Sequence, residues 1–360
     1  MEKFFLGFSI SAYQTEGDNF YSDWYYFEND KLPKVGKSCN LWENYEKIIQ
    51  FLVDLKVNAF RFSIEWSRIF PEENNFSQEN LNRYLRFIEK LKEKNIEPFI
   101  CLWHFTNPKW FFDKGGWQYR ENINYFIEYV DILIKNLKKY DVKYFITFNE
   151  PFVYTLNSYI LGFWPPFEKI SSIENLKKIS DILENFHLAH KEVYKIIKES
   201  DEKIIYIENF SFFNFYLIKF FKDTYLDLII STLPKKVDGI GVNYYGILVD
   251  YTTRKFYESL KYFSKVLDKL KTKNKDIFIT ENGISTEDEY KRAKYIKKHL
   301  TFVLNNRKKY NIKGYFIWSL LDNYEWEIGY KAKFGILTRE IKPKDSYYEL
   351  KEFFKSLKIS

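Results

Sequence analysis

Two short stretches of this chain, Thr147-Phe148-Asn149-Glu150-Pro151 and Ile279-Thr280-Glu281-Asn282-Gly283, each set a carboxylate at the end of an apolar, β-branched run. Runs of that kind read as strands buried on both faces, and enzymes built on barrels of parallel strands mount their chemistry at strand ends. Two glutamates presented this way suit a reaction that needs both a proton donor and a nucleophile, above all glycoside hydrolysis. A single strand-end Glu often does no more than meet solvent, so the signal lies in the pair. The two are far apart in sequence, and only a fold can bring them together.

The elements that must position them are read from hydrophobic period. Eight strand candidates occur in chain order: Phe4 to Ile10, Val57 to Ile64, Ile96 to Trp103, Val142 to Asn149, Lys203 to Asn209, Val237 to Tyr244, Asp276 to Glu281 and Lys313 to Ser319. Helix-like periodicity separates them, for example over Leu41 to Leu55, Leu81 to Lys92, Ile123 to Lys139 and Ile182 to Ile197. Strands alternating with helices imply parallel βαβ units. Eight repeats favour closure into a (β/α)8 (TIM) barrel, because an open sheet would leave edges to cover. Such barrels run long as one unit, so residues 1–360 are read as a single catalytic domain. The aromatic run Phe210 to Phe221 has no clear period.

A barrel of this kind has a rim that can be read from its strand ends. They offer Gln14, Arg61 and Glu65, Trp103-His104, Asn149-Glu150, Asn243-Tyr244-Tyr245, Glu281 and Trp318, with Glu325-Trp326 just beyond. Paired donors and acceptors match sugar hydroxyls, and an aromatic plane matches the C–H face of a pyranose. Aromatic residues make up 21% of the chain, so Trp24, Trp42 and Trp110 are read as packing. Trp318 and Trp326, flanking Glu325, are read as part of a site.

Bulk properties exclude several other classes. There are 56 lysines and arginines against 49 acidic residues, a formal charge of +7. The lysines are spread over helix-like segments such as Lys261 to Lys275, which marks a solvated surface and argues against nucleic-acid binding. No uncharged apolar stretch approaches membrane-spanning length. Met1 to Phe8 reads as the first strand and not as a signal segment. Two cysteines, Cys39 and Cys101, suggest no disulfide scaffold and fit the cytoplasm. The four histidines (His104, His187, His190, His299) lack ligand spacing, so no metal and no cofactor is expected.

At this point the residues resemble a known family. Phe8-Ser9-Ile10-Ser11-Ala12-Tyr13-Gln14-Thr15-Glu16-Gly17, Arg61-Phe62-Ser63-Ile64-Glu65-Trp66-Ser67-Arg68-Ile69-Phe70-Pro71, His104-Phe105-Thr106, both glutamate segments, and Trp318-Ser319-Leu320-Leu321-Asp322-Asn323-Tyr324-Glu325-Trp326 together are similar to the retaining β-glycosidases of glycoside hydrolase family 1. The resemblance implies that Glu281 is the nucleophile and Glu150 the acid/base, and that Asn149 contacts the sugar 2-hydroxyl. It implies that Gln14, His104, Trp318, Glu325 and Trp326 hold the non-reducing sugar, with Asn243 nearby and Phe334 as a further wall. Arg61 and Tyr245 match the groups that hold the nucleophile. The implied partner is a small β-glycoside or oligosaccharide, taken from its non-reducing end.

Substrate and loops are read from the same positions. A carboxylate at Glu325 would repel a 6-phosphate, so a non-phosphorylated glycoside is expected, β-glucoside first, with galactoside, fucoside and mannoside open as side activities. Transglycosylation at the same site, or silent glycan binding, are the alternatives, and the joint presence of both carboxylates argues against the second. The chain is shorter than family members, mainly between Glu150 and Glu281. The loops after strands 5 and 6 are therefore expected to be trimmed, and the leaving-group side to be open.

Overall fold

The computed structural model describes residues 3–169, 173–199, 201–213 and 222–357. Eight parallel strands close on themselves: β1 (Phe5–Ser9), β2 (Ala59–Ser63), β3 (Glu97–Cys101), β4 (Tyr144–Asn149), β5 (Lys203–Asn209), β6 (Gly239–Asn243), β7 (Asp276–Asn282) and β8 (Ile312–Trp318). Each pairs with its neighbours in sequence, and β8 pairs back onto β1, with Ser9 opposite Trp318. Every expected strand is present. Most end one or two residues early, because pairing stops before the apolar run does.

Among the described residues, eight helices fill the outer layer, one after each strand: α1 (Leu41–Asp54), α2 (Gln78–Glu93), α3 (Ile123–Leu137), α4 (Ile173–Ile197), α5 (Lys222–Ser231), α6 (Leu260–Lys271), α7 (Glu289–Tyr310) and α8 (Asp345–Ser356). Helix α2 shows why they form. Ser77 caps it by accepting from Asn80 N at 3.3 Å, and Leu81, Tyr84, Leu85, Ile88 and Leu91 make one buried face at three- and four-residue spacing. Helix α4 starts nine residues before the expected Ile182, since Glu, Leu and Lys continue it well. Of the aromatic run, residues 214–221 lie outside the described part.

Inside the barrel, Phe5, Phe99, Phe278 and Phe316 pack with Tyr144 into an aromatic plug at the N-terminal end of the strands. Phe99 stacks on Tyr144 at 4.2 Å and meets Phe316 edge-on at 4.7 Å. Rings this large fit because their neighbours are small. A Cβ on Gly239 would lie 2.7 Å from the Phe278 ring, and one on Gly314 would lie 3.2 Å from Phe316 and from Phe5.

Two irregularities in the ladder matter more than the ladder. Side chains along a strand alternate between faces. In β4, Ile146 pairs with Ile205 but Asn149 pairs with Ile207, so one extra residue is inserted. In β7, Ile279 pairs with Val242 and Glu281 with Asn243, again one residue too many. These are β-bulges, and each one re-aims the side chains beyond it. Thr147 and Phe148 both turn to the helix layer, where Thr147 meets His190 and Phe148 meets Phe186. Thr280 and Glu281 both turn inward, and Asn282 turns out to Tyr315. The bulges put Asn149 and Glu281 on the inner face.

The three short strands Phe212–Phe213, Ile247–Asp250 and Lys255–Tyr257 form a separate small sheet over the barrel mouth. The loop after β6 thus carries a hairpin, where the sequence suggested a trimmed and open end.

The plug gives a test. Gly239→Val should crowd Phe278 and destabilise the fold by about 1–3 kcal/mol, read as a lower thermal midpoint, and Phe278→Leu in the same chain should restore part of the loss. An unchanged midpoint for Gly239→Val would show that the interior is not filled as described.

Candidate active site

Ten of the residues singled out from sequence line one cavity of about 630 Å³ at the C-terminal end of the strands: Gln14, His104, Asn149, Glu150, Tyr245, Glu281, Trp318, Glu325, Trp326 and Phe334. The remaining two, Arg61 and Asn243, are fully buried immediately behind that lining and hydrogen-bonded to it. Glu65, Trp103 and Tyr244, also near strand ends, do not join them. Glu65 accepts from Ser67 and Thr106, Trp103 packs against Phe148 and Phe186, and Tyr244 stacks on Phe263 of α6.

Glu150 comes directly after β4, with its backbone in the left-handed region at φ +49°. That conformation is costly for a residue with a Cβ and is held by its surroundings. Its N–H donates to Ile207 O at 2.9 Å, and Pro151 then opens the short helix Pro151–Thr155. The Glu150 carboxyl oxygen Oε1 accepts from Asn243 Nδ2 at 2.5 Å and from Asn209 Nδ2 at 3.1 Å. Glu281 is held on both oxygens: Arg61 Nη1 donates to Oε1 and the Tyr245 hydroxyl donates to Oε2, each at 2.5 Å.

One network joins the two carboxyls. Arg61 Nη2 donates to Asn149 Oδ1 at 2.7 Å, and Asn243 Nδ2 donates to the same oxygen at 3.1 Å. Asn243 is itself oriented by Thr280, whose hydroxyl donates to Asn243 Oδ1 at 2.7 Å. Its amide nitrogen is thereby forced to face Glu150 and Asn149.

The electrostatics set the two acids apart. Burial, and then the charge of Glu281, push the Glu150 carboxyl up to about 8, partly offset by the Asn243 and Asn209 hydrogen bonds. Burial and the Glu281 charge push the Tyr245 phenol well above its ordinary range, so it stays a donor. Burial and the nearby Arg61 charge hold His104 well below its usual value, so its imidazole is neutral.

The far wall is built for a polar, flat-faced guest. His104 lies nearly parallel to Trp318 and Trp326, with ring centroids 6.1 and 6.0 Å away, and its buried Nδ1 has no partner among the described residues. Trp318 Nε1 donates to Glu325 Oε1 at 3.1 Å. Burial raises Glu325 to about 8 while Arg254 and Trp318 pull it down. Gln14 is fixed by Ser11, Asn323 and the Tyr324 carbonyl. Trp24, read as packing, backs this wall through Trp326 and Trp164.

Some lining residues were not anticipated. Asn209 ends β5 opposite Asn243 on β6, so the strand-end rule that found Asn243 would also have found it. Trp164, Tyr251, Arg254 and Phe256 belong to loops, and nothing periodic in the sequence marks them. Among the described residues, no group of three or more His, Cys, Asp or Glu is placed to hold a metal ion, and no helix is long and apolar enough to cross a membrane.

The surroundings of Glu150 predict opposite shifts for two substitutions. Asn243→Ala removes a hydrogen bond to the charged form and should move its titration above about 8, whereas Glu281→Gln removes a neighbouring charge and should move it below. Carboxyl 13C NMR of glutamate-labelled protein reads both, and shifts of the same sign would contradict the network.

Comparisons with known proteins agree with this geometry. A family model described as Glycosyl hydrolase family 1 matches residues 1–210 and 197–357. Beta-glucosidase A of Acetivibrio thermocellus is 29% identical over an alignment 398 positions long, gaps included, covering 89% of this chain and 88% of that protein. Among solved structures, a beta-glycosidase from Pyrococcus horikoshii superposes with a TM-score of 0.88 at 31% identity, over 98% of this chain and 94% of that one. A beta-glucosidase from Thermotoga maritima in complex with deoxynojirimycin superposes with a TM-score of 0.85 at 26% identity, over 99% of each.

Proposed function

Because the chain belongs to glycosyl hydrolase family 1 and is a glycoside hydrolase, we propose that it is a retaining, exo-acting β-glycosidase of non-phosphorylated substrates, a β-glucosidase first of all. The observation that carries this reading is the unequal treatment of two glutamates on one hydrogen-bonded network. Glu281 accepts from a guanidinium and a phenol, while Glu150 is held protonated to about pH 8.

In the proposed reaction the Glu281 carboxylate attacks the anomeric carbon and the Glu150 proton passes to the leaving oxygen. Tyr245 and Arg61 hold Glu281 in line for that attack. Once Glu281 is esterified its charge is gone, and with it one of the two main causes that raise Glu150. The same carboxyl then loses its proton more readily and acts as base toward water. Asn149, fixed by Arg61 and Asn243, offers its amide to the 2-hydroxyl.

The sugar itself is proposed to lie against Trp318, with His104, Gln14, Glu325 and Trp326 taking its outer hydroxyls and Phe334 closing one side. His104 supports this, since it lines the cavity and its neutral imidazole can serve a sugar hydroxyl as donor or acceptor. Glu325, raised by burial to about 8, offers a phosphate in the same place no opposite charge. No cofactor enters these steps.

Aryl β-glycosides test the assignment. Glu281→Gln should lose turnover by a factor of at least about 10³, and Glu281→Gly should regain part of it with azide. Glu150→Gln should still release activated phenols in a burst, then stall. Full activity in Glu281→Gln would end the proposal. In wild type, kcat/KM should hold through neutral pH and fall as pH rises through about 8, since Glu150 gives up its proton there. A profile flat to pH 10 would remove Glu150 from the acid role.

A further inference from the structure

The hairpin after β6 lines the same cavity as Glu150, whose proton must reach a departing group. We propose that this side takes an apolar aglycone, an alkyl chain or an aromatic ring, in preference to a second sugar; the inference rests on the β-glycosidase reading for which end of the substrate lies there.

The wall is apolar in surface, and its polar groups find hydrogen-bond partners within it. Leu248 and Phe256 face each other across the hairpin as an antiparallel pair and both line the cavity, as does Val153 of the helix after Glu150. The polar side chains among them are already engaged with one another. The Tyr251 hydroxyl donates to Asn157 Oδ1 at 3.1 Å, and Asn157 Nδ2 donates to Val153 O at 3.1 Å. Trp164 Nε1 donates to Glu327 Oε2 at 2.5 Å. Arg254 Nη2 donates to Glu327 Oε1 at 2.6 Å, and its guanidinium lies over the Tyr251 ring, 4.2 Å from the centroid.

A sugar hydroxyl moved from water to such a wall would lose its partners without replacement, which is costly. A methylene loses nothing and removes apolar surface from water. The contrast with the inner wall is direct, because there the polar side chains of Gln14, His104, Asn149 and Glu325 line the cavity. Toward the mouth the apolar surface continues: Phe163, 39% exposed, packs on Tyr251 with ring centroids 5.1 Å apart.

The three-way tie of Arg254, Glu327 and Trp164 also fixes the wall. It joins the loop after β4, the hairpin after β6 and the loop after β8, so the aglycone meets a preformed surface. Phe256 stacks on Tyr245 at 5.4 Å, which ties the same hairpin to the phenol that holds Glu281.

Calorimetry on the wild-type protein tests this with alkyl 1-thio-β-D-glucopyranosides of one, four, six and eight carbons, with cellobiose in its hydrolysis-resistant S-linked form for comparison. Affinity should rise about two- to fourfold per methylene beyond butyl, and cellobiose should bind no tighter than the methyl thioglucoside. Leu248→Asn should flatten the rise while changing methyl thioglucoside affinity less than about twofold. Affinity independent of chain length, or cellobiose as the tightest ligand, overturns the inference. Hydrolysis of the matching O-glycosides is measured separately: a steep affinity series without turnover would defeat the β-glycosidase reading and leave the apolar wall standing.

Discussion

A guanidinium with no access to water governs this structure. Arg61 is fully buried, and a charge in that position is tolerated only where anions and dipoles replace its hydration. Glu281 supplies the anion at 2.5 Å and Asn149 the dipole at 2.7 Å. Each partner of the ion pair stands in for the other's lost hydration: burial is the largest single influence on Arg61 and works against its charge, but Glu281 together with Cys101 and Tyr245 more than offsets it. Glu150, whose carboxyl accepts only from two neutral amides among the described residues, bears the full cost of burial beside a negative neighbour and keeps its proton. The division of labour between two identical side chains thus comes from which one the arginine reaches.

Bringing Arg61 within reach depends on register as well as on closure. Parallel pairing sets Arg61 of β2 against Phe99 of β3 and Ser9 of β1, pointing inward. The bulge in β7 lets Glu281 turn inward directly after Thr280, which also faces in. The bulge in β4 does the same for Asn149 after two outward residues. Without these insertions the two-residue alternation would send Glu281 into the helix layer, toward residues such as Tyr295 and Tyr315, and leave Arg61 unpaired.

The same dependence on register explains what was legible in the sequence. The eight strands were, because a strand buried on both faces is a near-continuous apolar run whichever way each side chain points. Their polar ends were too, and Glu150, Glu281, Asn149 and Asn243 are found from them. Which end residues face the cavity was not legible by period: Glu65, Trp103 and Tyr244 occupy equivalent places and turn elsewhere. The residues to which the resemblance points are those that line the cavity or lie buried behind its lining. The hairpin over the mouth was not anticipated at all, since Leu248, Tyr251, Arg254 and Phe256 form a small sheet only by packing on a barrel that local sequence does not describe.

The aromatic plug has one more effect, on traffic. Phe5, Phe99, Phe278 and Phe316 seal the barrel axis below the two glutamates, so the cavity is a cul-de-sac whose exit runs past the hairpin. In the proposed reaction the departing alcohol and the incoming water must therefore use one doorway in turn. The longer an oily departing group lingers there, the longer the sugar ester stays shielded from water, and the better the odds that the same alcohol returns to it first.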